Sequence, residues 1–399
     1  MDAMLKRASK GRIPLVSRSA GILTRIVAVA LLTVATYAAA VETRGDHPDT
    51  YVVQRGDTLW DIAGRFLKRP WLWPEVWQAN PQIKNPHLIY PGDVLSLAYL
   101  DRIGMQPGPR VGAPINAVPL AEVEPFLKNL RVVDQFDQMP YVVGLEGDRL
   151  RSSQGQVAYI RGLAGAQPGQ RYAVVRPTQR YTRLDRTQCC DLFHSDDLDF
   201  RGRRLIDFEN YWTNAVTPDN GNELLGFELM QVNAGTITRG EVGGIEASTL
   251  LLDAEGREVR VGDRLIAVDA QPYDLQFFPH PPKQQLEYGR ARVLAVADML
   301  TSGGPHDVVA LSVGSREGVD NGTVFSIWRV GSNAVDKIEY GADRSEYTIA
   351  EGSKVRLPDE FAGHVMVFRT FDKVSYGLVM DSIKPSRVGY ELKHPDAPY

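Results

Sequence analysis

Two kinds of apolar periodicity follow one another closely in residues 51–98. Val52-Val53 is a β-branched run that stops at Gly56-Asp57-Thr58, which predicts a short strand and then a turn. Thr58-Leu59-Trp60-Asp61 has the Thr-x-x-acid spacing that satisfies the first free amides of a helix. Leu59, Ile62, Ala63 and Phe66 then recur at helical spacing and give one apolar face. Pro70 and Pro74 interrupt that helix and permit a second over 75–79, because proline is tolerated in a helix's first turn. Asn80-Pro81 ends it. Tyr90-Pro91-Gly92-Asp93 is a turn feeding an alternating strand over 94–97, able to pair with 51–53. The expected order is βααβ, a small α+β unit over 49–98.

After this unit the pattern changes. Residues 101–125 are rich in Pro, Gly and Ala without a sustained apolar period, which predicts a linker. Short β-type runs follow at 141–143, 157–160, 172–175, 225–229, 249–252, 265–268, 292–295, 308–311, 324–328, 364–368 and 376–380, separated by Gly, Asp and Pro. That spacing predicts a mostly-β region. It also contains an echo: residues 165–176 align with 318–329 at a constant offset, glycine on glycine and Arg176 on Arg329. A looser echo sets Val261-Gly262-Asp263-Arg264-Leu265 against Val388-Gly389-Tyr390-Glu391-Leu392. Each copy reads as a glycine turn launching a half-buried strand. Two related β units are expected, 140–270 and 285–395, the first with an insertion at 180–222.

The motif V-x-x-G-D-T-L-W-x-I-A at the start of the first unit and N-P-x-I-x-N-P-x-x-I-Y-P-G-D-x-L at its end resemble the LysM family of peptidoglycan- and chitin-binding modules. The resemblance implies a shallow groove for N-acetylglucosamine-containing glycans between the loop entering the first helix and the loop leaving the second. Carried over residue by residue, Gly56, Asp57, Thr58 and Leu59 line one side, and Asn85, Leu88, Ile89 and Pro91 the other. Loops at Gly56 and Pro91 can leave backbone amides and carbonyls for acetamido groups, and Leu59 and Ile89 can cover a sugar's apolar face. Each also has a structural reading: Gly56 for the turn, Thr58 as helix cap, Ile89 as core. Trp60, Trp73 and Trp77 are assigned mainly to the module's core.

Ahead of the module, Lys6, Arg7, Lys10, Arg12, Arg18 and Arg25 precede an uncharged apolar run over 26–40. The run is short for a membrane span, which needs about 20 residues, and Ala38-Ala39-Ala40 supplies small residues for cleavage. Residues 1–40 are therefore read as a secretory signal, with an uncleaved anchor as the alternative. Removing them takes away six basic residues and Asp2, so the formal charge falls from −4 to −9. That balance excludes a nucleic-acid partner, which calls for a basic stripe. A chain of 399 residues with 43% hydrophobic content can bury more than one core.

No chemistry of catalysis stands out. The histidines, His47, His87, His194, His280, His306, His364 and His394, form neither His-x-His nor His-x-x-x-His, so a zinc peptidase pattern is missing. Cys189 and Cys190 lie among Asp191, Asp196 and Asp197, whose negative charge disfavours a thiolate, and with His194 they match no zinc spacing. No catalytic residue, metal ligand or cofactor is assigned. Phe277-Phe278-Pro279-His280-Pro281-Pro282 is read as an exposed docking or packing loop.

The second β unit carries Asp307-Val308-Val309, Val313-Gly314-Ser315-Arg316-Glu317-Gly318-Val319 and Gly322-Thr323-Val324-Phe325, a combination that resembles the carboxy-terminal domain of the flagellar protein FlgT. With a signal and a LysM-like module in front, the arrangement is similar to the type IV pilus secretin-associated LysM proteins. It departs from that pattern in the 180–222 insertion and in Tyr390, where the echo of Asp263 would place Asp. The resemblance implies a non-catalytic periplasmic adaptor with two partners, peptidoglycan and the outer-membrane secretin. A LysM-targeted peptidoglycan hydrolase and a free-standing glycan-binding envelope protein are the alternatives.

Overall fold

The computed structural model describes residues 50–78, 80, 89–96, 120–184, 197–198, 204–205, 212–215, 223–253, 256–268, 277–287, 289–297, 303–336 and 354–398. The expected signal segment 1–40, residues 101–119 of the expected linker, Asn85, Leu88, Cys189 and Cys190 lie outside the described residues. Among the described residues no helix is long and apolar enough to cross a membrane.

At the amino-terminal end, strand β1 (Thr50–Val52) leads to helix α1 (Leu59–Phe66), a single 3-10 turn (Pro70–Leu72), helix α2 (Trp73–Gln78) and strand β2 (Val94–Ser96). β1 and β2 pair antiparallel, Tyr51 opposite Leu95. The α1 cap is the predicted one: Asp61 N–H donates to Thr58 Oγ1 at 3.1 Å, and Thr58 N–H donates back to the Asp61 carboxylate at 3.2 Å. The second helix begins at Trp73, not at residue 75, and Pro74 sits in its first turn where its missing N–H costs no bond.

Helix α3 (Leu120–Asn129) follows, so the last residues of the expected 101–125 linker are helical. Val123, Phe126 and Leu127 are buried on it. Then come β3 (Leu130–Val133), β4 (Tyr141–Leu145), β5 (Val157–Arg161), β6 (Arg171–Thr182), the short pair β7 (Asp197–Leu198) and β8 (Arg204–Leu205), β9 (Trp212–Ala215), β10 (Leu224–Arg239), β11 (Ser248–Leu252) and β12 (Arg264–Ala267). The remaining strands are β13 (Val293–Ala297), β14 (Val308–Leu311), β15 (Val324–Arg329), β16 (Asn333–Val335), β17 (Lys354–Arg356), β18 (Glu360–Thr370), β19 (Ser375–Ser382) and β20 (Glu391–Lys393). β6 runs through Thr182, so residues 180–182 of the expected insertion belong to the sheet.

Two barrels share one pairing scheme. In the first, β4 pairs β5, β5 pairs β11, β11 pairs β10, β10 pairs β6, β6 pairs β12 and β12 returns to β4. In the second, β13, β14, β19, β18, β15 and β20 pair in the same cyclic order. That ring closes where Val293 N–H donates to Tyr390 O and Leu392 N–H to Ala291 O, both at 2.9 Å. Each barrel carries one added outer strand, β3 on β10 and β9 on β13. β9 comes from the insertion of the first barrel, so that insertion extends the second barrel's sheet. The echo at 165–176 and 318–329 falls on β6 and β15, which hold equivalent places, and the looser echo falls on the equivalent β12 and β20.

The same turn launches the equivalent strands. Before β5, β6 and β12 it spans 153–156, 167–170 and 260–263, and before β14, β15 and β20 it spans 304–307, 320–323 and 387–390. In each, the fourth N–H donates to the first carbonyl, and the third residue has positive φ. Five of these third residues are glycine; the sixth is His306, at φ 72°. A side chain in this region costs about 1–2 kcal/mol, partly offset because glycine loses more backbone entropy on folding, by about 0.5–1 kcal/mol. His306 is exposed. His306→Gly is therefore expected to stabilise the protein by about 0.5–1 kcal/mol, read as a higher urea midpoint at unchanged slope.

The fourth turn residue explains the departure at Tyr390. Asp263 is buried and takes a two-point bond from Arg176, Nε at 2.9 Å and a terminal nitrogen at 3.1 Å. Burial raises the Asp263 carboxyl, and Arg176 opposes that rise. In the second barrel Arg329, the counterpart of Arg176, is 55% exposed and needs no inward carboxylate, so Tyr390 fills the space as an apolar group.

The barrels meet around one buried carboxylate. Glu228 on β10, fully buried, accepts from Tyr181 Oη on β6 at 2.6 Å, Thr178 Oγ1 at 2.8 Å and Tyr376 Oη on β19 at 2.7 Å. At the rim, Glu223 bonds Arg183 and Arg316. Partial burial works against its charge, but those two guanidinium groups outweigh it and hold the carboxyl below its ordinary range.

Candidate functional site

Glycine and aspartate build both loops of the small module in one way. At 54–57, Asp57 N–H donates to Gln54 O, Gln54 N–H donates to the Asp57 carboxylate at 2.8 Å, and Gly56 takes φ 94°. At 90–93, Asp93 N–H donates to Tyr90 O, Tyr90 N–H donates to the Asp93 carboxylate at 3.1 Å, and Gly92 takes φ 95°. The two turns are tied together, Val53 N–H to Asp93 O and Gly92 N–H to Val53 O, both at 2.8 Å. The strand pair thus brings the Gly56 and Pro91 loops side by side.

Side chains named from the sequence fall into two groups. Asp57 is 5% exposed, and its carboxylate is already engaged by Tyr51 Oη at 2.7 Å, by Gln54 N–H and by Arg65 at 3.0 Å. Thr58 is the helix cap, and Leu59 and Ile89 lie in the core at 1% and 0% exposure. What these four can offer a sugar is their backbone. Gly56 is exposed, with open space where a side chain would stand, and Pro91 is half-buried. Among the described residues, the amides of Arg55 and Gly56 make no intrachain hydrogen bond. A shallow face of main-chain donors beside a proline ring is suited to acetamido and hydroxyl groups.

The tryptophans serve packing. Trp60, Trp71 and Trp73 are 2%, 5% and 2% exposed, and Trp77 is partly buried. Trp71, absent from the residues singled out in the sequence, joins this core from the 3-10 turn, a position no helical period marks. Among the described residues no group of three or more His, Cys, Asp or Glu is placed to hold a metal.

Residues 51–98 match the family model of the LysM domain. LysM domains are cell-wall-binding modules that take the glycan of peptidoglycan, which assigns this part of the chain its class. The chain is also similar to the uncharacterized protein YqbP of Bacillus subtilis (strain 168), 38% identical over 60 residues. That similarity covers 12% of this chain and 27% of YqbP, so the chain spans about a quarter of the length of the curated relative it matches.

Proposed function

We propose that the protein is a non-catalytic periplasmic adaptor that ties the outer-membrane secretin of a type IV pilus machine to peptidoglycan. The observation that carries the wall-binding arm is the LysM match over a module whose Gly56 and Pro91 loops stand together at the surface. The secretin arm rests on the resemblance of the second β unit to the FlgT carboxy-terminal domain, and on the order of signal, LysM module and β region. The paired barrels offer a large surface apart from the glycan loops.

A few main-chain hydrogen bonds, each worth about 0.5–1.5 kcal/mol net, give one module weak affinity. Many copies on a ring-shaped partner would bind the wall at high effective concentration, so retention does not require any single tight contact. Among the described residues, one carboxylate pair that shares a cleft is poorly arranged for hydrolysis. Glu287 and Glu391 line a cleft of about 470 Å³, but Glu391 is 1% exposed and one of its oxygens is held by Gly289 N–H at 2.7 Å. A carboxylate so little exposed, with one oxygen bonded to the main chain, is poorly placed to exchange protons with a bound glycan.

Purified mature protein mixed with isolated sacculi is expected to sediment with them and to release no muropeptides. Recovery in the supernatant at both low and high salt would remove the wall-binding arm. Absence of the secretin from material co-purified out of detergent-solubilised envelopes would remove the other.

A further inference from the structure

We infer that the LysM module is docked on the second barrel by its helical face, so that the barrels fix the orientation of the glycan loops and the linker does not set it. The docking seam has three parts. His364, on β18, packs its ring against Trp71 at 4.8 Å between centroids and against Trp60 at 6.3 Å. Phe278 lies over Trp73 and Trp77 at 6.0 and 5.8 Å, with interplanar angles of 32° and 34°. Arg69 Nε reaches Asp396 Oδ1 at 3.2 Å.

The two aromatic residues on the barrel side of the seam, His364 and Phe278, are held from behind. His364 Nδ1 lies 2.9 Å from Asp381 Oδ1, which also accepts from the His364 N–H, and Phe361 packs edge-on against the same ring at 5.0 Å. Phe278 is placed by the turn before β15. His280 N–H donates to Gly322 O, Val324 N–H donates to His280 O, and a side chain at position 322 would strike the Phe278 carbonyl. The equivalent glycine of the first barrel, Gly169, faces open space. Among the described residues, only the second of the two matching turns is covered by an aromatic segment, and that segment meets the LysM helices. Aromatic pairs of this geometry contribute beyond their buried area and fix relative orientation.

The seam uses α1, the 3-10 turn and α2, whereas the candidate glycan face uses the Gly56 and Pro91 loops. Docking and sugar binding therefore occupy different faces of the module, and the open space at Gly56 persists in the docked state.

Zero-length carbodiimide coupling in the intact mature protein tests this. With Arg69→Lys in place, an amide cross-link between position 69 and Asp396 is expected as the dominant product by peptide mass spectrometry. Adding Phe278→Ala, at a site 37% exposed and outside the core, is expected to lower its yield about tenfold while circular dichroism stays unchanged. Cross-links from position 69 spread over many carboxylates, or a yield unaffected by Phe278→Ala, would overturn the docking. Sacculus sedimentation of the same variants is read separately, so loss of docking and loss of glycan binding are distinguishable.

Discussion

Glu228→Ala is expected to destabilise the protein by about 3–5 kcal/mol, because each buried donor left without its acceptor costs about 1–3 kcal/mol. The carboxylate is the shared acceptor for Tyr181, Thr178 and Tyr376. Removing it leaves three buried hydroxyls facing a cavity from two barrels at once. Tyr376→Phe deletes one donor and leaves the carboxylate with two, so its cost should be about 1–2 kcal/mol. Urea denaturation of both variants gives the comparison, and a loss for Glu228→Ala no larger than for Tyr376→Phe would mean that the network does not join the barrels. The tyrosines add a pH signature. Burial, and then the neighbouring Glu228 charge, raise both hydroxyls well above their ordinary value near 10. The folded state keeps these protons when the unfolded chain begins to lose them, so their contribution is intact below pH 10. It falls away as pH rises above 10 toward the folded-state values. Wild-type stability should therefore drop on the alkaline side more steeply than that of a variant carrying Phe at both positions.

This network could not be seen in the sequence, and the reason is physical. The run at 225–229 reads as a short strand, whereas β10 continues to Arg239. Glu228 looks like an outward polar position until Tyr376, far away in the chain, supplies a partner. Local signals fared better. The Thr58 cap, the apolar face of α1 and the turns at Gly56 and Gly92 act over a few residues, and each is where the spacing put it. The glycine echo was legible for the same reason, since a positive-φ turn before a strand is a local device. The closure of each barrel was not, because it depends on pairings between strands distant in the chain. Phe278 shows the boundary between the two cases: its proline-rich segment announces a docking loop, but not that Trp73 and Trp77 of the same chain receive it.

The candidate glycan residues divide along that line as well, and Asp57 decides how they should be read. Its position beside Gly56 suggests a sugar ligand, yet its carboxylate is turned inward onto Tyr51, Gln54 N–H and Arg65. Asp57→Ala removes the acceptor that closes the 54–57 turn and leaves Tyr51 and Arg65 without their shared partner, at a cost of about 2–4 kcal/mol. A module of this size has only about 2–7 kcal/mol to lose, at 0.05–0.15 kcal/mol per residue. Sacculus retention of Asp57→Ala should therefore fall at least about tenfold, accompanied by a lowered melting transition of the module. Asp57→Asn keeps an oxygen for Gln54 N–H and Tyr51 and loses the charge facing Arg65; Asp57 is buried but Arg65 is half exposed, so this loss should cost about 1–2 kcal/mol, less than Asp57→Ala. It should retain most wall binding. A direct sugar ligand would behave differently: Asp57→Ala would lose retention with its melting unchanged, and the carboxylate would then belong to the glycan and not to the turn.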